Sequence, residues 1–177
     1  MFGELPFRKS ARAKWWDYDN SASYFITINI RDAHHVFGMI ENERMVLSEL
    51  GLLADRYWKE IDQHNKNIRV DLLQIMPNHL HGILWLNKCE GDLNTRSLHA
   101  STLHKTLKSQ HHQISPPKES ITTAIRSYKS AVSKDAKIYC PDFKWQRGFF
   151  DRIIRNSAEY EQIKEYILNI PKKWKSI

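Results

Sequence analysis

Residues 72–86, which read LLQIMPNHLHGILWL, constrain the fold more than any other part of the chain. Two apolar runs flank a polar centre, where Pro77 and Asn78 form a dipeptide that is typical of turns. The pattern therefore predicts two strands, at about 68–75 and 79–86, that are joined by a tight hairpin.

His79 and His81 stand at the start of the second predicted strand. Side chains alternate between the two faces of a strand, so both imidazoles should share one face while Leu80 points into the core. Two neutral imidazoles on one face can ligate a divalent metal. Two half-buried histidines without a metal remain the alternative, and the hairpin alone does not decide between them.

The remaining patterns before this hairpin predict one long strand, one shorter strand or hairpin arm, and a helix. Residues 23–30 alternate and are rich in β-branched and aromatic side chains, and 36–40 form a shorter run before a turn at 41–43. Residues 48–63 change to helical spacing behind Ser48, a typical N-cap. The order strand, strand, helix, strand, strand indicates an α+β fold, an antiparallel sheet with helices packed on one face.

After the hairpin, residues 88–119 are rich in Ser, Thr, His, Lys and Gln, which predicts a flexible insertion within one domain that spans residues 1–177. A helix should begin after Ser120, and residues 143–154 should form an irregular loop that leads into a strand. A last helix should begin at Asn156 and end at Ile170, before Pro171.

Composition narrows the class of protein. Hydrophobic residues make up 41% and charged residues 27% of the chain, and no apolar run has the length of a membrane span. The N-terminal residues lack the apolar core of a signal peptide, and Cys89 and Cys140 do not form a metal-binding pair, so we expect a cytoplasmic protein. The net charge of +7 favours a polyanionic partner such as nucleic acid.

Residues 7–16, FRKSARAKWW, combine four basic side chains with two adjacent tryptophans. Such a segment can contact phosphates and stack on bases, or it can be a solvated arm whose aromatic rings fold back on the domain. The sequence leaves both interpretations open.

The chain resembles the REP-associated tyrosine transposases, a group of the single-tyrosine HUH transposases, over nearly its whole length. The shared motifs are Arg8-Lys9-Ser10-x-Arg12, Asp17-Tyr18, Tyr24-Phe25-Ile26-Thr27, Phe37-Gly38-x-Ile40, Met76-Pro77-Asn78-His79-Leu80-His81-Gly82-Ile83, Lys129-Ser130, Trp145-Gln146-x-Gly148-Phe149-x-Asp151-Arg152-x-Ile154-Arg155-Asn156 and Glu165-Tyr166-Ile167. The 88–119 segment has no counterpart in the group. The order of these motifs is specific, so the resemblance favours the functional interpretation of the histidine pair.

The resemblance implies a ferredoxin-like α+β domain with a C-terminal helix that carries the catalytic tyrosine. It implies a metal-dependent endonuclease and transesterase for single-stranded or hairpin DNA, acting as a monomer or homodimer. His79 and His81 would hold Mg²⁺ or Mn²⁺, and Tyr166 would attack a phosphodiester to give a 5′-phosphotyrosine. Basic side chains would contact the DNA phosphates, and the candidates are Arg8, Arg12, Arg126, Lys129, Arg152 and Arg155.

The chain departs from the group at one position. Members end this helix with asparagine-asparagine-proline, and a polar side chain one turn after the tyrosine is their third metal ligand. This chain has Asn169-Ile170-Pro171, and isoleucine cannot ligate a metal. Asn169 or Gln162 would then take over, or water would complete the shell, or the copy is inactive.

Three functions follow from these alternatives. The leading hypothesis is strand cleavage and transfer through Tyr166. A catalytically silent DNA-binding protein of the same fold is the second, and Ile170 is the feature that favours it. A metallohydrolase that uses His79 and His81 with water as the nucleophile is the third.

Overall fold

The structure is a computed structural model that describes residues 21–87 and 120–174. The strands and helices of these two ranges, in chain order, are β1 (Ala22–Asn29), β2 (Gly38–Glu41), β3 (Arg44–Leu47), α1 (Glu49–Lys59), α2 (Ile61–His64), β4 (Ile68–Met76), β5 (His79–Leu86), α3 (Ile121–Ala136), β6 (Phe150–Ile154) and α4 (Ser157–Lys173). The predicted basic arm, with Arg8 and Arg12, and the predicted insertion at 88–119 lie outside these ranges.

Four strands form one antiparallel sheet in the order β4-β5-β1-β6. The two central strands are β5, between β4 and β1, and β1, between β5 and β6. Helix α1 falls between β1 and β4 in the sequence, and α3 falls between β5 and β6. This is the split β-α-β arrangement of a ferredoxin-like fold, so the predicted fold class is confirmed.

The two faces of the sheet carry different side chains. Tyr24, Ile26 and Ile28 of β1 are fully buried in a core that includes residues of α1 and α3. The opposite face carries Phe25, Thr27 and Asn29 of β1, opposite Ile83, His81 and His79 of β5. We call this second surface the histidine face.

Helix α4 packs on the histidine face. Its residues Ile163 and Ile167 join Ile83 of β5 and Ile154 of β6 in a second, smaller core. Helices α1 and α3 therefore lie on one face of the sheet, and α4, which carries Tyr166, lies on the other.

A polar tie anchors α4 to the sheet one and a half turns before Tyr166. The Tyr160 hydroxyl donates to Asp71 Oδ2 at 2.8 Å, and the indole nitrogen of Trp85 donates to the same oxygen at 3.0 Å. Asp71 lies where the register of β4 shifts between Val70 and Leu72. Such a bulge re-aims a side chain, which here reaches the helix.

The predicted hairpin is confirmed. Pro77 and Asn78 form the turn, so that Met76 pairs with His79 across it. Backbone groups from the segment after β1 also hold the turn. The Ile30 amide donates to the Asn78 carbonyl at 2.9 Å, and the Phe37 amide donates to the Pro77 carbonyl at 3.1 Å. The start of the histidine strand is thus fixed on two sides.

Gly82 of β5 faces the core that contains α1 and α3, on the side of the sheet opposite to the histidine face. A Cβ at this position would stand 2.2 Å from Cζ2 of Trp58, whose ring is fully buried on α1. Glycine is therefore required here by the close approach of the α1 indole to the strand.

The bounds of the first helix need one correction, whereas the strand before that helix is as predicted. The helix predicted at 48–63 is divided into α1 and α2 at Glu60, although Ser48 caps it as expected by accepting from the Gly51 amide at 3.1 Å. The shorter strand or hairpin arm predicted at 36–40 is confirmed as β2, which pairs with β3 in a separate two-stranded sheet. Asn42 and Glu43, within the predicted turn, both adopt positive φ.

Helix α4 begins as predicted, since Asn156 Oδ1 accepts from the Glu159 amide at 2.8 Å. The predicted end at Ile170 is wrong, because the helix continues through Pro171 to Lys173. A proline there removes only one N–H near a helix end, where a short extension is tolerated. None of the helices in the described ranges is long and apolar enough to cross a membrane.

Candidate active site

The imidazoles of His79 and His81 lie side by side on the histidine face. Their ring centroids are 4.7 Å apart and the rings are nearly perpendicular. His81 is 7% exposed, and His79 is half-buried at the open end of the strand. The alternation expected from the sequence is confirmed, because Leu80 between them is fully buried in the opposite core.

Each imidazole has a hydrogen-bond partner on its Nδ1 atom. His79 Nδ1 lies 2.6 Å from Asn78 Oδ1, which can only accept, so this nitrogen carries the proton. His81 Nδ1 lies 2.8 Å from the Thr27 hydroxyl, which can accept in the same way. Both rings can therefore present an unprotonated Nε2, and partners of this kind orient the histidine ligands of metal sites.

Burial lowers the pKa of His79 to about 4 and that of His81 to about 3, with the charge of His79 as a second cause for His81. Both imidazoles are consequently neutral at pH 7, as a ligand must be. Two neutral nitrogen donors fit a divalent cation such as Mn²⁺ or Mg²⁺ that keeps several waters or phosphate oxygens in its shell.

Tyr166 of α4 reaches the histidine pair within the same chain. Its ring centroid is 5.8 Å from that of His81, and the phenol is half exposed. Phe25 lies against both rings: it stacks on His81 at 5.4 Å and meets Tyr166 edge-on at 6.3 Å. One chain thus supplies both imidazoles and the tyrosine.

Besides the two histidines, the side chains near Tyr166 supply few candidates for a third metal ligand. Ile170 is only 9% exposed, so the group's ligand position holds a buried apolar side chain. Asn169 donates its amide nitrogen to the Glu165 carbonyl at 2.9 Å, which leaves Oδ1 as its ligating atom, and Gln162 is exposed one turn before Tyr166. In the described ranges no cluster of three His, Cys, Asp or Glu side chains could hold a metal.

Three of the predicted DNA-binding arginines lie on α3 (Arg126), on β6 (Arg152) and between β6 and α4 (Arg155). Arg126 and Arg155 are exposed. Arg152 is exposed as well but forms an ion pair with Glu159, whose other oxygen accepts from the Arg155 amide at 2.8 Å. The Arg155 side chain therefore projects from a well-anchored backbone.

Lys129 has a different environment. Its ammonium group donates to the carbonyls of Gln146 and Gly148 at 2.8 and 2.7 Å and lies 5.7 Å from the Trp145 ring centroid. Burial lowers its pKa to about 8. Lys129 holds the loop before β6 in place, and any contact with DNA would be additional to that role.

Sequence reasoning missed several residues around the histidines. Thr27, Asn78 and Phe25 contact the imidazoles directly, and Trp174 lies 5.7 Å from His79 and 5.8 Å from His35 between ring centroids. Alternation in β1 does place Phe25 and Thr27 on one face, but only the register of β1 against β5 identifies that face as the one with the histidines.

The chain is similar to an uncharacterized protein of Haemophilus influenzae (strain Rd), with 34% identity over 176 residues that cover 96% of this chain and 91% of that protein. No family model matches the chain.

Two solved structures are similar. One is a REP-associated tyrosine transposase bound to a REP hairpin, with a TM-score of 0.57 and 16% identity over 92% of this chain and 74% of that one. The other is a candidate transposase of Deinococcus radiodurans R1, with a TM-score of 0.47 and 13% identity over 89% and 95% of the two chains. The first similarity establishes the fold, and the second is too low to add to it.

Proposed function

We propose that this chain, which belongs to one family with the Haemophilus influenzae protein and has the fold of a REP-associated tyrosine transposase, cleaves and transfers single-stranded DNA through Tyr166. The observation that carries the proposal is the 5.8 Å separation between the Tyr166 and His81 rings in one chain. The Tyr166 phenol is half exposed, so that it is open to a substrate, and it lies beside two desolvated imidazoles.

In the proposed reaction, the Tyr166 oxygen forms a bond to the phosphorus of a DNA phosphodiester. The bond from that phosphorus to the 3′ oxygen breaks, which leaves a 5′-phosphotyrosine and a free 3′-hydroxyl. The proton lost by the phenol balances the proton gained by the 3′ oxygen. Since the phosphodiester bond energy is retained, a second 3′-hydroxyl can later displace the tyrosine.

His79 and His81 are proposed to hold the divalent cation through their Nε2 atoms. The cation would supply electrostatic stabilisation of the charge that develops on the phosphate oxygens. Asn78 and Thr27 would keep both imidazoles in the ligating tautomer, and Phe25 would keep the phenol and the His81 ring in place. Asn169 or Gln162 is the proposed further ligand, with water in the remaining positions.

The DNA bound in the similar solved structure suggests a substrate for this chain. Because that transposase is bound to a REP hairpin, we propose hairpin-bearing single-stranded DNA as the substrate of this chain. The net charge of +7 is consistent with such a partner.

A denaturing gel tests the proposal. Labelled single-stranded DNA that contains a hairpin is incubated with Mn²⁺ and the protein, and a protein–DNA adduct that survives denaturation is expected. Tyr166→Phe should abolish the adduct, while Tyr139→Phe, which alters another half-exposed tyrosine in the turn after α3, should retain it. An adduct that persists in Tyr166→Phe would contradict the assignment.

The same gel distinguishes the other functions. Cleaved DNA without an adduct would indicate a metallohydrolase that uses water as the nucleophile. Binding without cleavage at any Mn²⁺ concentration would indicate a catalytically silent DNA-binding protein, in which isoleucine at position 170 supplies no ligand for the metal.

A further inference from the structure

We propose that Phe150 and Arg152, on the outermost strand of the described sheet, bind a nucleotide that flanks the scissile phosphate: Phe150 stacks on its base and Arg152 contacts its phosphate. This inference rests on the proposed function, because it takes the His81–Tyr166 site as the place where the DNA is cut.

The strand register places Phe150 in one row with the histidine site. Phe150 pairs with Thr27 of β1, and Thr27 pairs with His81 of β5. Directly paired residues of antiparallel strands point to the same face, so Phe150 projects from the histidine face. Two strand spacings separate its backbone from that of His81, which is about 10 Å.

Phe150 is 40% exposed, which is unusual for a phenylalanine so close to a desolvated site. The two apolar side chains of α4 that pack on this face, Ile163 and Ile167, contact Ile83 and Ile154 farther along the strands. The aromatic ring is therefore available to a ligand that approaches Tyr166 from the β6 side.

Arg152 follows Phe150 by two residues, so it projects from the same face about 7 Å along the strand. Its side chain is 58% exposed although it pairs with Glu159. It pairs in register with Phe25, the residue that contacts both His81 and Tyr166. An aromatic ring beside a cation is the arrangement that single-strand binding proteins use for bases and backbone.

The chemistry favours an unpaired nucleotide over an apolar peptide. A protein partner would need a wider apolar surface than one ring. The surroundings of Phe150 are polar instead: Arg152 lies beside it, and the Asn29 side chain donates to Gln146 Oε1 at 2.9 Å. An unpaired nucleotide presents the flat face of its base and a charged phosphate, which match Phe150 and Arg152.

The test measures DNA binding in a Tyr166→Phe background, so that no covalent adduct traps the DNA. The probe is a single-stranded oligonucleotide with a hairpin between two thymidine tracts. Phe150→Ala should weaken binding by about 5- to 150-fold, the effect of losing one base–aromatic stack, and Phe150→Trp should bind at least as tightly as the parent. Tyr139→Ala is the matched control and should leave the affinity unchanged.

An abasic scan identifies the contacted base. At one thymidine beside the hairpin, removal of the base should weaken binding to the parent but not to Phe150→Ala, because both changes delete the same contact. Equal affinity of Phe150→Ala and the parent would overturn the proposal, as would effects that add at every position or a parent that does not bind the probe.

Failure of the proposed function would look different. A chain with Tyr166 intact that forms no adduct, while Phe150→Ala still weakens binding at one base, would refute the cleavage reaction and retain the nucleotide site. An adduct in wild type together with unchanged binding by Phe150→Ala would do the reverse.

Discussion

The hydroxyl of Thr27 lies 2.8 Å from Nδ1 of His81, and this contact joins the central strand β1 to the predicted metal-binding strand. The ring of His81 is held at the same time by the stacked Phe25. Two residues of one strand therefore fix the orientation of an imidazole on its neighbour.

Replacing Thr27 with valine should weaken Mn²⁺ binding about 10- to 100-fold, the usual effect of removing the partner of a histidine ligand. Valine has nearly the shape of threonine, so packing is preserved. Thr27→Ser keeps the hydroxyl and should retain most of the affinity. Isothermal titration compares the three proteins, and an affinity that Thr27→Val retains but Thr27→Ser loses would show that the methyl group, not the hydroxyl, matters.

His79→Ala and His81→Ala should each abolish Mn²⁺ binding that is measurable for wild type, because each removes one of two nitrogen donors. His64→Ala changes an exposed histidine at the end of α2 and should bind as wild type does. Identical isotherms without binding for wild type and His79→Ala would refute the metal site.

Ile170→Asn should restore a polar side chain at the group's third ligand position and tighten Mn²⁺ binding. It should also lower the free energy of unfolding by about 2 kcal/mol or more, because it buries an amide in place of an apolar side chain. Ile163→Asn is the matched control, since both isoleucines are 9% exposed on α4. It should lose similar stability with no gain in metal affinity, whereas a gain in both would argue against a specific ligand.

Tyr160→Phe should slow adduct formation by Tyr166, because it removes the bond to Asp71 that anchors α4 on the sheet. The expected loss of stability is about 1 kcal/mol. Tyr57→Phe also removes a tyrosine–aspartate bond, to Asp135, but between α1 and α3 on the other face. It should cost similar stability and leave the rate of adduct formation unchanged, so equal rates for both variants would contradict the anchoring role.

The same tie predicts a loss of stability at alkaline pH. The hydrogen bond to Asp71, with burial and nearby carboxylates, raises the pKa of Tyr160 to about 12. The folded state therefore favours the protonated phenol, so this contribution is complete below pH 10 and is lost as the pH rises toward 12. The free energies of unfolding of wild type and Tyr160→Phe, plotted against pH, should converge over that interval. A constant difference between the two proteins would exclude the linkage.

Arg155→Ala should reduce the salt dependence of DNA binding by about 0.7 log units of affinity per log unit of salt, the value for one phosphate contact to a single strand. Lys66→Ala changes an exposed charge in the loop before β4 and should leave that slope unchanged. Fluorescence anisotropy over a range of salt concentrations gives both slopes. Equal slopes for all three proteins would remove Arg155 from the DNA-binding surface.

Local patterns in the sequence predicted much of the fold. The hairpin at Pro77-Asn78, the caps at Ser48, Ser120 and Asn156 and the ferredoxin-like class are all confirmed. These features depend on neighbouring residues or on simple alternation, which a sequence displays directly. The functions assigned to His79, His81 and Tyr166 came from the family resemblance and stay predictions, although the structure brings the three side chains together.

Features that depend on tertiary register were not predictable. The sequence shows neither that Thr27 pairs with His81 nor that Phe150 lies in the same row, because both follow from how distant strands align. The DNA contact of Lys129 stays a prediction, and the sequence does not show that its ammonium group also binds two loop carbonyls. Whether a charge meets solvent or backbone is decided by the packing of an entire loop.

Gly82 has no side chain, yet the indole of Trp58 lies directly against it on the face of β5 opposite to His81, the proposed metal ligand. Any larger residue at 82 would have to push β5 away from α1, toward the histidine face. The imidazole of His81 would then move into the space beside Tyr166. If the proposed reaction takes place at His81 and Tyr166, a mutational scan should find inactivating substitutions on α1, on the far side of the sheet from the DNA.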